Sequence, residues 1–348
     1  MQTLRFTLKP LSAFGTAPKG DSLFGQLCWV LQDGLDELDE LGELKLTKLL
    51  DNYLTQRPFA VLSDLLPHGY VPRPDVPLSF FQQLADADRK EVKKQVWLPL
   101  TALEQPFAEW LQECHNPKQV LARWRSAANQ PTEPCEPFSS QHIRQHNSIS
   151  RSTGMTGTAE DGFAPYALNQ TWYAQETLLD LYVVFDETRI TAEQLRIALG
   201  VMGQLGFGRD ASIGLGKFEV TASEVLNLNS QAAQANNNAA LTLAPCAPQG
   251  LGFDATQSYY QLFTRFGRHG GQAVQRGRPF KTPVMLAQTG AVFSGGGINA
   301  DTSFIGNGVG GIGPDGKGLL SRQIPETVQQ GYAPVIPFCF TPAQELAV

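Results

Sequence analysis

The sequence never stays apolar for the ~18 consecutive residues that a membrane-crossing helix needs. Its start, MQTLRFTLKP, alternates like a strand and lacks the character of a signal peptide. Five cysteines, Cys28, Cys114, Cys135, Cys246 and Cys339, lie far apart. No two have metal-ligand spacing, and an odd number suits reduced thiols in a cytoplasm. Charge is scarce too: 17% of residues carry it, for a net −6 over 348 residues. A freely diffusing DNA binder is usually basic, so any nucleic-acid contact here is confined to a local patch. Apolar residues are not lacking. At 42% hydrophobic, the chain can bury a sizeable core, and its length suits two domains.

The pattern of elements is legible in places. Leu4, Phe6 and Leu8 alternate with polar residues, as in a half-buried strand. After a Gly/Pro-bearing loop, Leu23, Phe24, Leu27, Val30 and Leu31 fall at helical spacing, with Asp21 or Ser22 as the cap. The acidic run Asp33–Glu43 reads as a solvated helix face. Residues 57–78 are proline-rich and extended, 79–126 look helical, and 129–162 have the composition of a long loop. The best-defined unit follows. LLDLYVVF (178–185) is a buried strand, and Thr191 with Gln194 makes a capping-box pattern. Leu195, Leu199, Met202 and Leu205 form a helical stripe that stops at Gly206, and KFEVTA resumes a strand. Past an Asn/Ala/Gln-biased tract (226–245), YYQLFTRF, TPVMLAQTGAVF and APVIPFCF read as strands among glycine-rich loops. The expected class is α+β.

Between that helix and strand lies GFGRDASIGLGKFEV (206–220). Gly206, Gly208 and Ala211 match the G-x-G-x-x-[GA] dinucleotide fingerprint, but such a fingerprint leaves a strand and opens a helix. Here the loop leaves a helix and opens a strand, so the dipole points the wrong way. A Walker loop is excluded as well, because Phe218 follows Lys217 where a magnesium-binding hydroxyl belongs. Two readings remain: a structural glycine turn, or a cradle in which Gly206, Gly208, Gly214 and Gly216 admit a phosphate backbone beside Arg209, Ser212 and Lys217.

Two other stretches favour the cradle. From Ala255 to Ala300 there is no acid, yet Arg265, Arg268, Arg276, Arg278 and Lys281 occur beside Tyr259, Tyr260, Phe263 and Phe266. Cations interleaved with aromatics suit single-stranded RNA, whose phosphates pair with one and whose bases stack on the other. FSSQHIRQHNSISRSTGMTGT (138–158) is also acid-free and carries His142, Arg144, His146 and Arg151. Each stretch on its own also reads as a solvated loop.

These segments resemble the RAMP superfamily of CRISPR-associated proteins. The glycine loop resembles the superfamily signature, and LFGQLCWVL resembles its first helix. PFAVLSDLLPHGYVPRP resembles a segment of the fourth Csm subunit, the Cas-five-like member of type III-A effectors. HNSISRSTGMT resembles that group's Ile-Asp-Arg-x-Thr segment, with Ser150 in place of the usual Asp. LFTRFGRHGG, KTPVMLAQTGAVF and GYAPVIPF resemble its C-terminal motifs. The resemblance implies two ferredoxin-like (RRM-type) modules, expected over 1–165 and 166–348. It implies a cytoplasmic subunit that caps the repeat-derived 5′ handle of CRISPR RNA beside the large Cas-ten subunit and a Cas-seven backbone subunit. No cofactor or metal is expected. RAMP relatives also include metal-independent ribonucleases, for which His142 and His146 are the candidates here. The expectation is a non-catalytic binding subunit; the alternative is an endoribonuclease acting on precursor CRISPR RNA.

Overall fold

The structure is a computed structural model, and it describes residues 1–32, 45–82, 88–133, 136–157, 164–226, 237–270 and 279–342. The acidic run Asp33–Glu43, Cys135, Arg276, Arg278 and half of the Asn-rich tract lie outside the described residues. In chain order the elements that build the site are β1 (Gln2–Pro10), α1 (Gly20–Gln32), β2 (Ala60–Leu62), α2 (Pro117–Ala127), β3 (Ser139–His146), β4 (Tyr166–Tyr173), β5 (Leu179–Phe185), α3 (Ala192–Leu205) and β6 (Phe218–Val225). The C-terminal part adds β7 (Ala239–Thr242), β8 (Leu262–Arg265), β9 (Val284–Ala287), β10 (Val292–Ser294), β11 (Phe304–Gly306) and β12 (Tyr332–Phe338).

The first sheet runs β2-β5-β1-β6, antiparallel throughout. With α1 and α3 it follows the chain order β-α-β-β-α-β. Alternation sets its register: Leu4, Phe6 and Leu8 lie opposite Val183, Leu181 and Leu179. On the helix side these residues meet Leu23, Phe24 and Leu27 of α1 and Leu195, Leu199 and Met202 of α3. β5 is buried along its whole length, apolar but for Asp180 near its start. α3 begins with the expected capping box, in which Gln194 N–H donates to Thr191 Oγ1 at 3.1 Å and Thr191 N–H to Gln194 Oε1 at 2.9 Å. Leu205 departs from the stripe and is exposed. Residue 165, the expected boundary, falls between strands of this one sheet. β1 and β2 come from one side of it, and β5 and β6 from the other.

The second sheet runs β10-β7-β12-β11, also antiparallel. Its helical cover comes from the N-terminal half: Phe107, Trp110 and Leu111 pack on Leu241 and Phe338. The 79–126 segment is therefore helical only in short pieces, α2 being its longest helix. Gln330 ties the two sheets. It is fully buried, and its side-chain amide copies a strand pair by accepting from Leu62 N–H (2.8 Å) and donating to Leu62 C=O (2.7 Å).

Two glycines of α3 make a matched test. A methyl at Gly203 would press on the Phe218 carbonyl and ring, where α3 lies against β6, whereas one at Gly200 meets nothing within 4 Å. Gly203→Ala is expected to cost ~1–3 kcal/mol by overpacking. Gly200→Ala should be neutral or stabilise by ~0.5–1 kcal/mol. Urea unfolding of both variants checks the difference.

Candidate nucleic-acid interface

The glycine loop folds onto protein before it offers anything to a ligand. α3 stops at Gly206, whose φ of 92° only glycine adopts freely. Phe207 then turns inward, buried edge-on to Phe14 with ring centroids 6.2 Å apart. Gln26 of α1 holds both sides of that turn: its amide donates to Gly206 C=O (2.7 Å) and accepts from Gly208 N–H (3.0 Å). Side-chain room is absent at three of the four glycines. A Cβ at Gly216 or Gly206 would strike the loop's own backbone, and one at Gly208 would lie 2.6 Å from Thr16 Cβ. Gly214 alone faces open space. Gly206, Gly208 and Gly216 thus serve chain-to-chain approach, a structural use of glycine. That packing by itself accounts for glycine at Gly206, Gly208 and Gly216.

The loop's side chains do face outward. Arg209, Ser212 and Lys217 are exposed. Arg209 donates to the Asn169 carbonyl at 2.8 Å and lies 3.4 Å from Asp210, which fixes the loop to β4. Lys217 sits on the other flank, lining a shallow hollow of about 440 Å³ with Leu11, Arg196 and Gln204. Residues 11–19 strap these parts together. Phe14 exchanges two backbone hydrogen bonds with Thr171 of β4 (2.9 Å each), and Ala13 C=O accepts from Gly216 N–H at 2.8 Å.

β3, which lies where composition predicts a loop, pairs with β4 in a two-stranded hairpin. Polar strands with both faces largely exposed carry little apolar alternation, so the period-2 signal is weak. Extended geometry places Ser140, His142, Arg144 and His146 on one face, opposite Trp172, Gln170, Leu168 and Tyr166. His146 stacks on Tyr166 (5.2 Å, 9°), and His142 Nε2 lies 3.0 Å from Ser140 Oγ. Arg144 is exposed on that face, and Arg151 is exposed in the turn beyond it. Neither makes an ion pair among the described residues.

The third stretch separates into distinct roles. Arg265 is committed inward: it grips Asp21 with Nε at 2.6 Å and Nη2 at 2.8 Å. Asp21 is 4% exposed, and burial raises its carboxyl above the ordinary range although Arg265 pulls the other way. Asp21 is therefore an ion-pair anchor inside α1. Lys281 is drawn below its usual value by burial beside Cys28 and Asp21. Tyr259 packs edge-on to Phe80. Arg268 remains outward, its guanidinium 5.8 Å from the ring of exposed Phe280. The remaining histidines are structural. Burial lowers His115 to about 4, His269 bonds Ser321 at 2.8 Å, and His68 bonds the buried Asp180 at 2.8 Å. Among the described residues no group of three or more His, Cys, Asp or Glu side chains could hold a metal. No helix among them is long and apolar enough to cross a membrane.

Sequence reasoning missed Thr16, Gln26 and Asn169, which position the loop from three separate elements. Their local sequence carries no motif, and only the fold brings them together.

No protein-family model and no curated relative matches the sequence. Solved structures do. The chain aligns over 97% of its length with all of a chain from the Csm3-Csm4 subcomplex in the type III-A CRISPR-Cas interference complex, at 15% identity and TM-score 0.59. It aligns over the same share with 98% of a chain from a Csm1-Csm4 cassette in complex with pppApA, at 13% identity and TM-score 0.52. The same cassette with AMPPNP gives 13% identity and TM-score 0.50. The fold is thus shared with chains of type III CRISPR complexes. Csm4 is the component common to these assemblies, and the chain is Csm4-like in fold.

Arg265→Ala would leave Asp21 as a buried, unpaired carboxylate, at an expected cost of ~3–5 kcal/mol. The sign of its pH dependence follows from the raised folded-state pKa, which the substitution raises further by removing the Arg265 attraction. An acid with a raised folded pKa favours folding at low pH and disfavours it as pH rises through that value. The gap between parent and variant should therefore narrow as pH falls from 8 toward 5, read by denaturant unfolding at each pH.

Proposed function

We propose that this chain is a non-catalytic RNA-binding subunit of a type III CRISPR effector complex, holding the repeat-derived 5′ handle of CRISPR RNA. The observation that carries the reading is the lock between the glycine loop and the hairpin. Arg209 bonded to Asn169 joins two acid-poor surfaces, one presenting Arg209 and Ser212, the other His142, Arg144 and Arg151. Preformed cations beside exposed aromatic rings such as Tyr166 and Trp172 suit a single strand, by phosphate pairing and base stacking. The β-α-β-β-α-β order with strand order β2-β5-β1-β6 fits a ferredoxin-like module, the RRM-type platform for RNA. The second sheet is the degenerate counterpart of that module.

The fold likeness supports the partners of this reading: a Cas-seven-like backbone subunit, as in the Csm3-Csm4 subcomplex, and the large Cas-ten subunit, as in the Csm1-Csm4 cassettes. The chain acts in the cytoplasm, bridging those two subunits. The histidines bind rather than cut. Ring stacking engages His146 and a neighbouring hydroxyl engages His142, and among the described residues no carboxylate bonds either one.

Arg209→Ala with Arg144→Ala should weaken RNA retention in the assembled complex. The salt dependence of binding should flatten by about one unit of slope for each phosphate that the variant no longer neutralises. An unchanged slope would count against this surface. His142→Ala with His146→Ala should leave the 5′ end of the bound guide RNA unchanged, as mapped by sequencing. A true general acid–base group contributes ~10²–10⁴-fold, so unprocessed precursor accumulating on that variant would establish the nuclease reading instead.

A further inference from the structure

A cleft of about 430 Å³ opens where the strap 11–19, the hairpin base and the C-terminal ribbon β8–β9 meet. That volume lies within the ~300–1,000 Å³ typical of small-ligand sites. Part of its wall is apolar and aromatic, formed by Trp97 and Phe138, with ring centroids 6.0 Å apart, Tyr173, and Pro72 with Pro74; the rest is polar.

The charges around the cleft are already engaged. Lys19 Nζ donates to Asp64 at 2.7 Å and to Thr289 Oγ1 at 3.2 Å, and the other Asp64 oxygen accepts Gly20 N–H at 2.8 Å. Arg73 donates to the carbonyls of Val92 (3.0 Å) and Gln95 (2.7 Å). Asp75 accepts from the Gln261 amide at 2.9 Å. Two cations and two carboxylates balance in formal charge, so the cleft offers an entering phosphate little net attraction. The neutral groups remain available. The Gln288 side-chain amide and the hydroxyls of Ser139 and Tyr173 make no hydrogen bond among the described residues. Flat apolar walls with a few neutral donors and acceptors fit a planar heterocycle with a polar edge.

We infer that this cleft takes one nucleobase, everted from a single-stranded RNA whose backbone is held outside it by Arg209 and the hairpin. The inference rests on the RNA-binding reading above and adds to it a site that reads a base rather than the backbone. Position supports it. Ala17, Pro18 and Lys19 line the cleft, while Thr16, one residue earlier, accepts the Arg209 N–H at 2.9 Å. The hairpin base contributes Ser139 and Tyr173 to the cleft, and Asn169 of the same hairpin anchors the Arg209 guanidinium. A strand on the cationic surface therefore passes the mouth of the cleft. Bases swing out of a single strand at low cost, and aromatic walls hold the one that enters.

The test uses the full chain and a short fluorescein-labelled single-stranded RNA containing all four bases, alongside versions with one abasic position each. Fluorescence anisotropy should show one position whose base removal weakens binding about 5- to 150-fold, the range that stacking on an aromatic side chain produces. Ser139→Trp fills the cleft from the half-exposed hairpin strand, and Gln288→Ala removes a polar reader. Both should erase that positional sensitivity while the variants melt like the parent and still bind the abasic strand as the parent does. Equal sensitivity at every position would overturn the inference while leaving the RNA-binding reading standing. So would an unaltered profile in both folded variants. Failure of the chain to bind any of the strands, alone or assembled with its partner subunits, would overturn both.

Discussion

Asp64 holds the molecule together at its junction. One oxygen accepts the Gly20 N–H at the start of α1; the other accepts Lys19 and Thr289, from the strap and from the C-terminal part. Its own N–H donates to the Leu243 carbonyl, just beyond β7. A single buried carboxylate thus joins the first helix, the end of β2 and the second sheet. Its position is over-determined, because charge-assisted bonds to a buried carboxylate are roughly twice as strong as neutral ones. The end of the strap and one wall of the cleft take their places from this junction.

Glycine does two kinds of work in the loop. At Gly206, Gly208 and Gly216 it lets backbone meet backbone or Thr16, which compresses the turn between α3 and β6. The compression pushes Arg209 and Ser212 outward, since Phe207 and Leu215 take the inward positions. Functional display by this loop therefore depends on its glycines without requiring that they touch a ligand. The structural reading and the binding reading of the segment apply to different residues of the same turn.

What could be read from sequence followed the strength of each local signal. The β5–α3–glycine loop–β6 unit was legible because its strand is apolar at every position but Asp180 and its helix has a cap at one end and a glycine stop at the other. The strand at β1 was legible from its alternation. The hairpin was not, because polar strands exposed on both faces look like loop. Arg265 was legible only as a free cation. Its partner Asp21 lies 244 positions away and reads locally as a helix cap. The cleft was illegible for the same reason, since Lys19, Arg73, Ser139 and Gln288 converge only after both sheets have formed. The cationic surface lay partly within reach of sequence because charge sign survives without geometry.

The central position of β1 has a consequence for how the chain is made. Leu4 pairs with Val183 on one side and Val225 on the other, so during synthesis β1 has neither neighbour until the chain has grown as far as Val183. At translation rates of ~5–20 residues per second, that wait lasts about 10–40 s. During it Leu4, Phe6 and Leu8 form an apolar strand with both edges bare, a template for pairing with any other extended chain. Aggregation risk is thus concentrated in the growing polypeptide, at a strand whose two edges the finished fold covers.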